Sequence, residues 1–122
     1  QFVSYVMPQE NGNKTDVDWV ALTDADGEGL LAVAMPLMEA SAHHYTTENL
    51  TEAHHTFELD RQDEVTLNLD YRQAGLGGAS CGPGTRPEYQ LPVAPTRFQV
   101  RLRPIAAGDS PAELARQELE EV

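Results

Sequence analysis

The feature that most limits what this chain can become is the alternation over residues 64–71, with Val65, Leu67, Leu69 and Tyr71 on one side and Thr66, Asn68 and Asp70 on the other. A period of two is the pattern of a strand with one buried face. That strand runs straight into residues 75–89, a stretch that holds Gly75, Gly77, Gly78, Gly82 and Gly84 and the single cysteine, Cys81. Glycines at this density let the backbone adopt positive φ and pass close to another surface, whereas an ordinary hairpin turn needs one or two of them. A loop of this length and composition is shaped for contact.

The same period returns elsewhere. Residues 1–7 are rich in aromatic and β-branched side chains and are stopped by Pro8, with a turn at Asn11-Gly12. Residues 15–23 alternate, with Trp19 among the side chains that read as core. An acidic tip over residues 24–29 then turns the chain into a partner strand at 30–35. Further strands are expected at 38–45, 57–59 and 88–91, and at 96–103. In the last of these Phe98, Val100 and Leu102 point inward and Arg97, Gln99, Arg101 and Arg103 outward, where the arginines pair with carboxylates of a neighbouring strand or subunit. Helix signals occur twice. Thr46 is an N-cap ahead of early acidic residues, and Ser110-Pro111-Ala112-Glu113 is a capping box with proline at the first helical position, followed by an apolar stripe of Leu114, Ala115, Leu119 and Val122. About seven short strands with turn signals between them define an all-β fold, a β-sandwich or barrel with one or two short helices.

A chain of 122 residues suits one domain, and 40% apolar residues argue for a folded unit. Its net charge of −12 repels phosphate backbones and anionic lipid, so neither nucleic acid nor membrane is an expected partner. One cysteine makes no internal disulfide, and no apolar run has the length of a membrane span or signal peptide. The absence of an initiating methionine at Gln1 points to a piece of something larger.

Other candidate sites are weaker. Asp24, Asp26 and Glu28 alternate as in a calcium loop, but Leu30, Ala32 and Met35 fill the later ligand positions, so a solvated turn is the better reading. The histidines form adjacent pairs, His43/His44 and His54/His55, whose members point to opposite faces of a strand, and structural roles are expected for them. No sequence feature supplies the lowered thiol pKa that a nucleophilic Cys81 requires. Asn13-Lys14-Thr15 and Asn49-Leu50-Thr51 fit the glycosylation pattern and read as chance.

Several ordered motifs resemble one family. Tyr5-Val6-Met7-Pro8-Gln9-Glu10-Asn11-Gly12 with Thr15-Asp16-Val17-Asp18-Trp19, His44-Tyr45-Thr46 with Glu48-Asn49-Leu50, His55-Thr56-Phe57-Glu58-Leu59, Asn68-Leu69-Asp70, and above all Gly75-Leu76-Gly77-Gly78-Ala79-Ser80-Cys81-Gly82-Pro83 are similar to the last conserved block of the large bacterial β-galactosidases, retaining glycoside hydrolases of family 2. The resemblance spans roughly residues 4–104. It implies the C-terminal part of the final domain, residues 1–104, within a β-supersandwich related to galactose mutarotases, followed by a tail at 105–122.

In such enzymes both catalytic glutamates, about 5 Å apart, lie in a separate (β/α)8 barrel. The magnesium ligands lie there too, and the bound Mg and Na belong to other domains. The resemblance therefore implies no cofactor and no catalytic residue in this chain, which should be inert alone, with the catalytic barrel, the galactoside and further copies as partners in the bacterial cytoplasm. It also implies that the glycine loop reaches the substrate rim. Best-known relatives carry a tryptophan there, where this chain has Cys81 in a loop one residue shorter. Gly78, Ser80 and Cys81 are the rim candidates. Glu10 and Asn11 either brace that loop or form a tight hairpin. Two other classes remain open: a stand-alone carbohydrate-binding sandwich, which wants exposed aromatics on a flat face, and mutarotase-like catalysis, which wants a glutamate base and a histidine acid on one sugar pocket. Sheet edges left unpaired in a fragment predict a dimer or higher oligomer.

Overall fold

The computed structural model describes residues 2–4, 6 and 11–118. Its strands are β1 (Lys14–Thr23), β2 (Gly29–His43), β3 (Thr66–Asp70) and β4 (Val100–Ile105), and its helices are α1 (Thr47–Glu52) and α2 (Pro111–Arg116). The strands form one sheet in which β2 pairs with each of the others, antiparallel to β3 and β4. The fold is all-β with two short helices, as the alternation requires. Two compact units divide the chain, one of residues 1–15 and 39–95, the other of residues 16–38 and 96–122.

In the second unit, Gly29 to Ala34 of β2 lie along β4, with Leu31 opposite Arg103 and Val33 opposite Arg101. Leu31, Ala32, Ala34, Met38 and Ile105 are buried there, Leu31 at 0% exposure. Burial of one such leucine contributes about 1.5–3 kcal/mol. Gly29 opens β2 because any side chain at that position would collide with the Leu22 carbonyl oxygen. The acidic tip is a turn closed on itself. Asp24 Oδ1 accepts from the backbone N–H of Asp26 at 2.9 Å and of Glu28 at 3.0 Å, and Gly27 supplies the positive φ of 87°.

The face of β4 differs from expectation. Phe98 and Leu102 are exposed, while Arg101 is partly buried and turns to the end of α2. Its guanidinium donates to the carbonyls of Gln117 at 2.6 Å and of Leu114 and Ala115 at 3.1 Å, and Arg103 donates to Gln117 Oε1 at 2.8 Å. The last carbonyls of a helix have no intrahelical partner and carry partial negative charge, so they hold Arg101 rather than a carboxylate on another strand. At the other end of α2, Ser110 Oγ accepts from the Glu113 N–H at 3.4 Å, the N-cap half of the expected capping box. Leu119 and Val122 of its apolar stripe lie outside the described residues.

In the first unit, β3 pairs with residues 39–43 of β2, and Asn68 Nδ2 donates to Ser41 Oγ across the ladder at 3.1 Å. Thr46 caps α1 by accepting from the Asn49 N–H at 3.0 Å. Ala40 and Ala53 are its buried apolar residues among those described.

Several expected strands are absent or differently drawn. The strands at 30–35 and 38–45 are one, β2, with Pro36 inside it. Pro36 falls between Ala34, the last residue registered with β4, and Glu39, the first registered with β3, so its missing N–H breaks neither ladder. The strands expected at 57–59 and 88–91 are 3₁₀ turns, Thr56–Glu58 and Pro87–Tyr89. Of residues 1–7, those described are not in a strand. There the Asn11 amide takes the ladder's part, accepting from the Val3 N–H at 2.8 Å and donating to the Val3 carbonyl at 2.6 Å. Trp19 is 38% exposed rather than core, and Val65 and Tyr71 at the ends of β3 are exposed as well. Large apolar side chains stay uncovered on strands whose periodicity is that of a buried face.

Candidate functional site

The candidate site is the loop that β3 delivers. Every residue from 71 to 99 is exposed. The loop nevertheless has internal order. Ser80 N–H donates to the Gly77 carbonyl and Ala79 N–H to the Pro83 carbonyl, both at 3.3 Å. Gly77 and Ala79 take positive φ, 84° and 63°. The first suits glycine, and the second places an alanine in the left-handed region, at a cost of about 1–2 kcal/mol. A side chain at Gly78 would press on Thr85 Oγ1 at 2.6 Å, so the two limbs of the loop meet there. On the return limb Gln90 Nε2 donates to the Thr85 carbonyl at 2.8 Å, and the Pro87–Tyr89 turn follows.

The result is an exposed turn across residues 77–83 that carries Ser80 and the free thiol of Cys81. Around Gly75, Gly77 and Gly82 the space a side chain would occupy is open. Arg86 and Glu88 approach to 4.0 Å as an exposed pair, which adds little.

The root of the loop is held by residues that sequence reasoning missed. Glu39 on β2 and Asp70 on β3 are direct partners in the ladder. Glu39 Oε2 accepts from the backbone N–H of Gln73 at 3.2 Å and from Asn13 Nδ2 at 2.8 Å. Asp70 Oδ2 accepts from Gln73 Nε2 at 2.7 Å. A signal existed in the sequence: an acidic residue inside an otherwise apolar run, Met38-Glu39-Ala40. Its partner 34 positions away was not legible.

Of the other rim candidates, Glu10 lies outside the described residues. Asn11 has both amide atoms on the Val3 backbone. Gly12 beside it has φ of 80°, and a side chain there would press on Phe2 Cα at 3.1 Å.

The histidines have local partners. The Phe2 ring lies 5.3 Å from that of His43 and 5.4 Å from that of Tyr45, and His43 and Tyr45 are 6.5 Å apart. His44 Nδ1 lies 3.0 Å from the Gln62 carbonyl. His55 stacks on Phe57 at 5.2 Å and pairs with Glu58 Oε1 at 3.3 Å. Glu58 Oε2 also accepts from the N–H groups of His54 at 2.6 Å and His55 at 3.2 Å. The His54 amide bond first and the His55 ring second hold the Glu58 carboxyl below its ordinary pKa. Among the described residues, no group of three His, Cys, Asp or Glu is placed to hold a metal ion, and no helix is long and apolar enough to cross a membrane.

Among the described residues, an all-β scaffold presents an exposed, glycine-shaped loop, with many large apolar side chains exposed and few buried. Residues 1–102 match the family described as beta galactosidase small chain, and the chain belongs to that family. It is 39% identical over 92 residues to a beta-galactosidase of Priestia megaterium, 34% over 97 residues to one of Actinobacillus pleuropneumoniae, and 38% over 90 residues to one of Halalkalibacterium halodurans. These matches cover 75%, 80% and 71% of this chain and 9% of each relative, so the chain spans about a tenth of their length.

Proposed function

We propose that this chain is the non-catalytic small-chain portion of a bacterial β-galactosidase, completing the rim of the active site through residues 75–89 and supporting domain and subunit packing. The observation that carries the reading is the loop itself, ordered within and held at its root, yet exposed from end to end. The apolar side chains of Leu76, Tyr89, Leu91 and Val93 stand exposed on or beside it, Val93 fully, as suits a surface that another part of the enzyme covers. On this reading residues 1–104 belong to a β-supersandwich whose other strands come from the parent, and residues 105–122 are an appended tail. The catalytic carboxylates and the Mg and Na ions reside in other domains, the substrate is a β-D-galactoside, the enzyme is homo-oligomeric, and its location is the cytoplasm.

The test uses the chain alone and assembled with the catalytic portion of the enzyme. Alone, it hydrolyses no chromogenic galactoside. In the assembled enzyme, replacement of residues 76–84 by a short Gly-Ser linker lowers kcat/KM by about a hundredfold or more, of the order seen when contacts that orient a substrate are lost. The melting temperature of the isolated chain stays within a few degrees. Hydrolysis by the purified chain would end the reading, and saturable galactose binding by the chain alone would favour a stand-alone carbohydrate-binding module.

A further inference from the structure

Glu39 and Asp70 face each other across the β2–β3 ladder. Direct cross-strand partners on one face have Cβ atoms about 4.5–5.5 Å apart, and like charges there are unfavourable. The chain carries two carboxylates at that place, and both are engaged by the same residue. Gln73 gives its backbone N–H to Glu39 and its side-chain amide to Asp70. One residue is thus gripped at two points, at the end of the sheet and two positions before Gly75. Asn13 donates to the same Glu39 oxygen, a second bond that restrains the carboxylate's rotamer. A hydrogen bond to a charged acceptor is stronger than a neutral one, and two of them with different directions fix orientation as well as distance. With its root free, the loop would pivot about Arg72 to Ala74, where the chain is exposed and in no regular element.

We propose that Glu39 and Asp70 are positioning residues that hold Gln73 and so set the direction in which the glycine loop leaves the sheet and the place of Ser80 and Cys81. The structural part of this inference stands by itself, and its consequence for catalysis rests on the loop being the active-site rim.

Amide exchange measured by NMR on the 122-residue chain tests the grip. Glu39→Ala speeds exchange of the Gln73 amide about tenfold or more. Gln73→Ala, which removes only an exposed side chain outside the sheet, speeds exchange at Ala79 and Ser80 by a few-fold while leaving the β2 and β3 amides alone. Glu39→Gln, which keeps an acceptor oxygen, restores Gln73 to within about threefold of the parent rate. Unchanged exchange at Gln73 in Glu39→Ala, or at Ala79 and Ser80 in Gln73→Ala, overturns the proposal. Should Glu39→Ala disturb the ladder itself, the Gln73 variant decides.

A second arm uses the assembled enzyme with a nitrophenyl galactoside. There Gln73→Ala and Glu39→Ala each raise KM about fivefold with kcat nearly kept, the pattern of lost uniform binding, and Glu39→Gln in place of Glu39→Ala keeps KM near the parent value. A looser loop with unchanged KM would leave the grip standing and refute the rim. A loop that does not loosen refutes the grip, whatever the kinetics.

Discussion

Residues 46–62 and residues 75–89 lie in the same compact unit and are both short of regular structure, yet they are built in opposite ways. In the first, polar side chains close the segment on itself. Asn49 donates to the Glu58 carbonyl at 3.0 Å and accepts from the Asp60 N–H at 2.8 Å, Glu58 collects the amides of His54 and His55, and Gln62 ties back to His44. In the second, glycines replace such side chains, and the fixing groups sit at the root, on Glu39 and Asp70. A segment that satisfies its own backbone is finished when the domain folds. One held at the root leaves its side chains uncovered along its length.

If that contrast is sound, the largest single-residue effect belongs to the self-closed segment. Asn49→Ala removes two long-range hydrogen bonds together, and Asn49 is half-buried. A loss of about 1–3 kcal/mol is expected, read as a lower denaturation midpoint of the chain. Substitutions at Gly82 or Cys81, which lie in open or exposed positions, should move that midpoint by less than about 0.5 kcal/mol. Equal losses in both segments would break the comparison.

A smaller effect comes from acid. Glu58 has its pKa lowered by the His54 N–H and the His55 ring, so its contribution to stability is fully present above the ordinary glutamate pKa and is lost as pH falls through the lowered value. Amide protection at His54 and His55 should therefore fade below the usual carboxylate range, while Ala79 and Ser80 keep their exchange behaviour after correction for the intrinsic rate. Glu58→Gln should flatten the His54 profile. Protection that survives protonation of Glu58 would show that the turn is held by something other than its carboxylate.

The same contrast explains what could be read from the chain. Thr46 and Ser110 announced both helices because a cap is a local event, complete within three residues. The β3 alternation placed a strand correctly, yet alternation alone suggested another at Phe57-Glu58-Leu59. There the Glu58 carboxylate reaching back to two N–H groups overrides the period and bends the chain into a 3₁₀ turn. Residues 30–35 and 38–45 read as two strands because the change of partner along β2 is a property of the whole sheet. For the same reason residues 75–89 were legible as a loop, but its anchor was not: Glu39 and Gln73 are 34 positions apart, and only the ladder register brings them together.

The finest test concerns Cys81. An indole buries about 150–250 Å² when fully covered, and a thiol far less, so a rim that carries Cys81 offers its substrate less apolar contact than one that carries tryptophan. Cys81 is exposed, with φ on the ordinary side, next to the left-handed Ala79 and the open Gly82, so a tryptophan has room without strain in the chain itself. At about 25 cal/mol per Å², recovery of even 50 Å² or so of that contact corresponds to about 1 kcal/mol, or roughly a fivefold fall in KM for an aryl galactoside in the assembled enzyme. Cys81→Ala should change KM by less than about twofold, since a small side chain is exchanged for a smaller one. The two substitutions together separate geometry from chemistry. If Cys81→Trp leaves KM where it was while the exchange rates at Ala79 and Ser80 show an undisturbed loop, the tip does not face the sugar. If Cys81→Ala abolishes turnover, the thiol is doing chemistry that its exposed setting and the absence of an adjacent histidine among the described residues give no reason to expect.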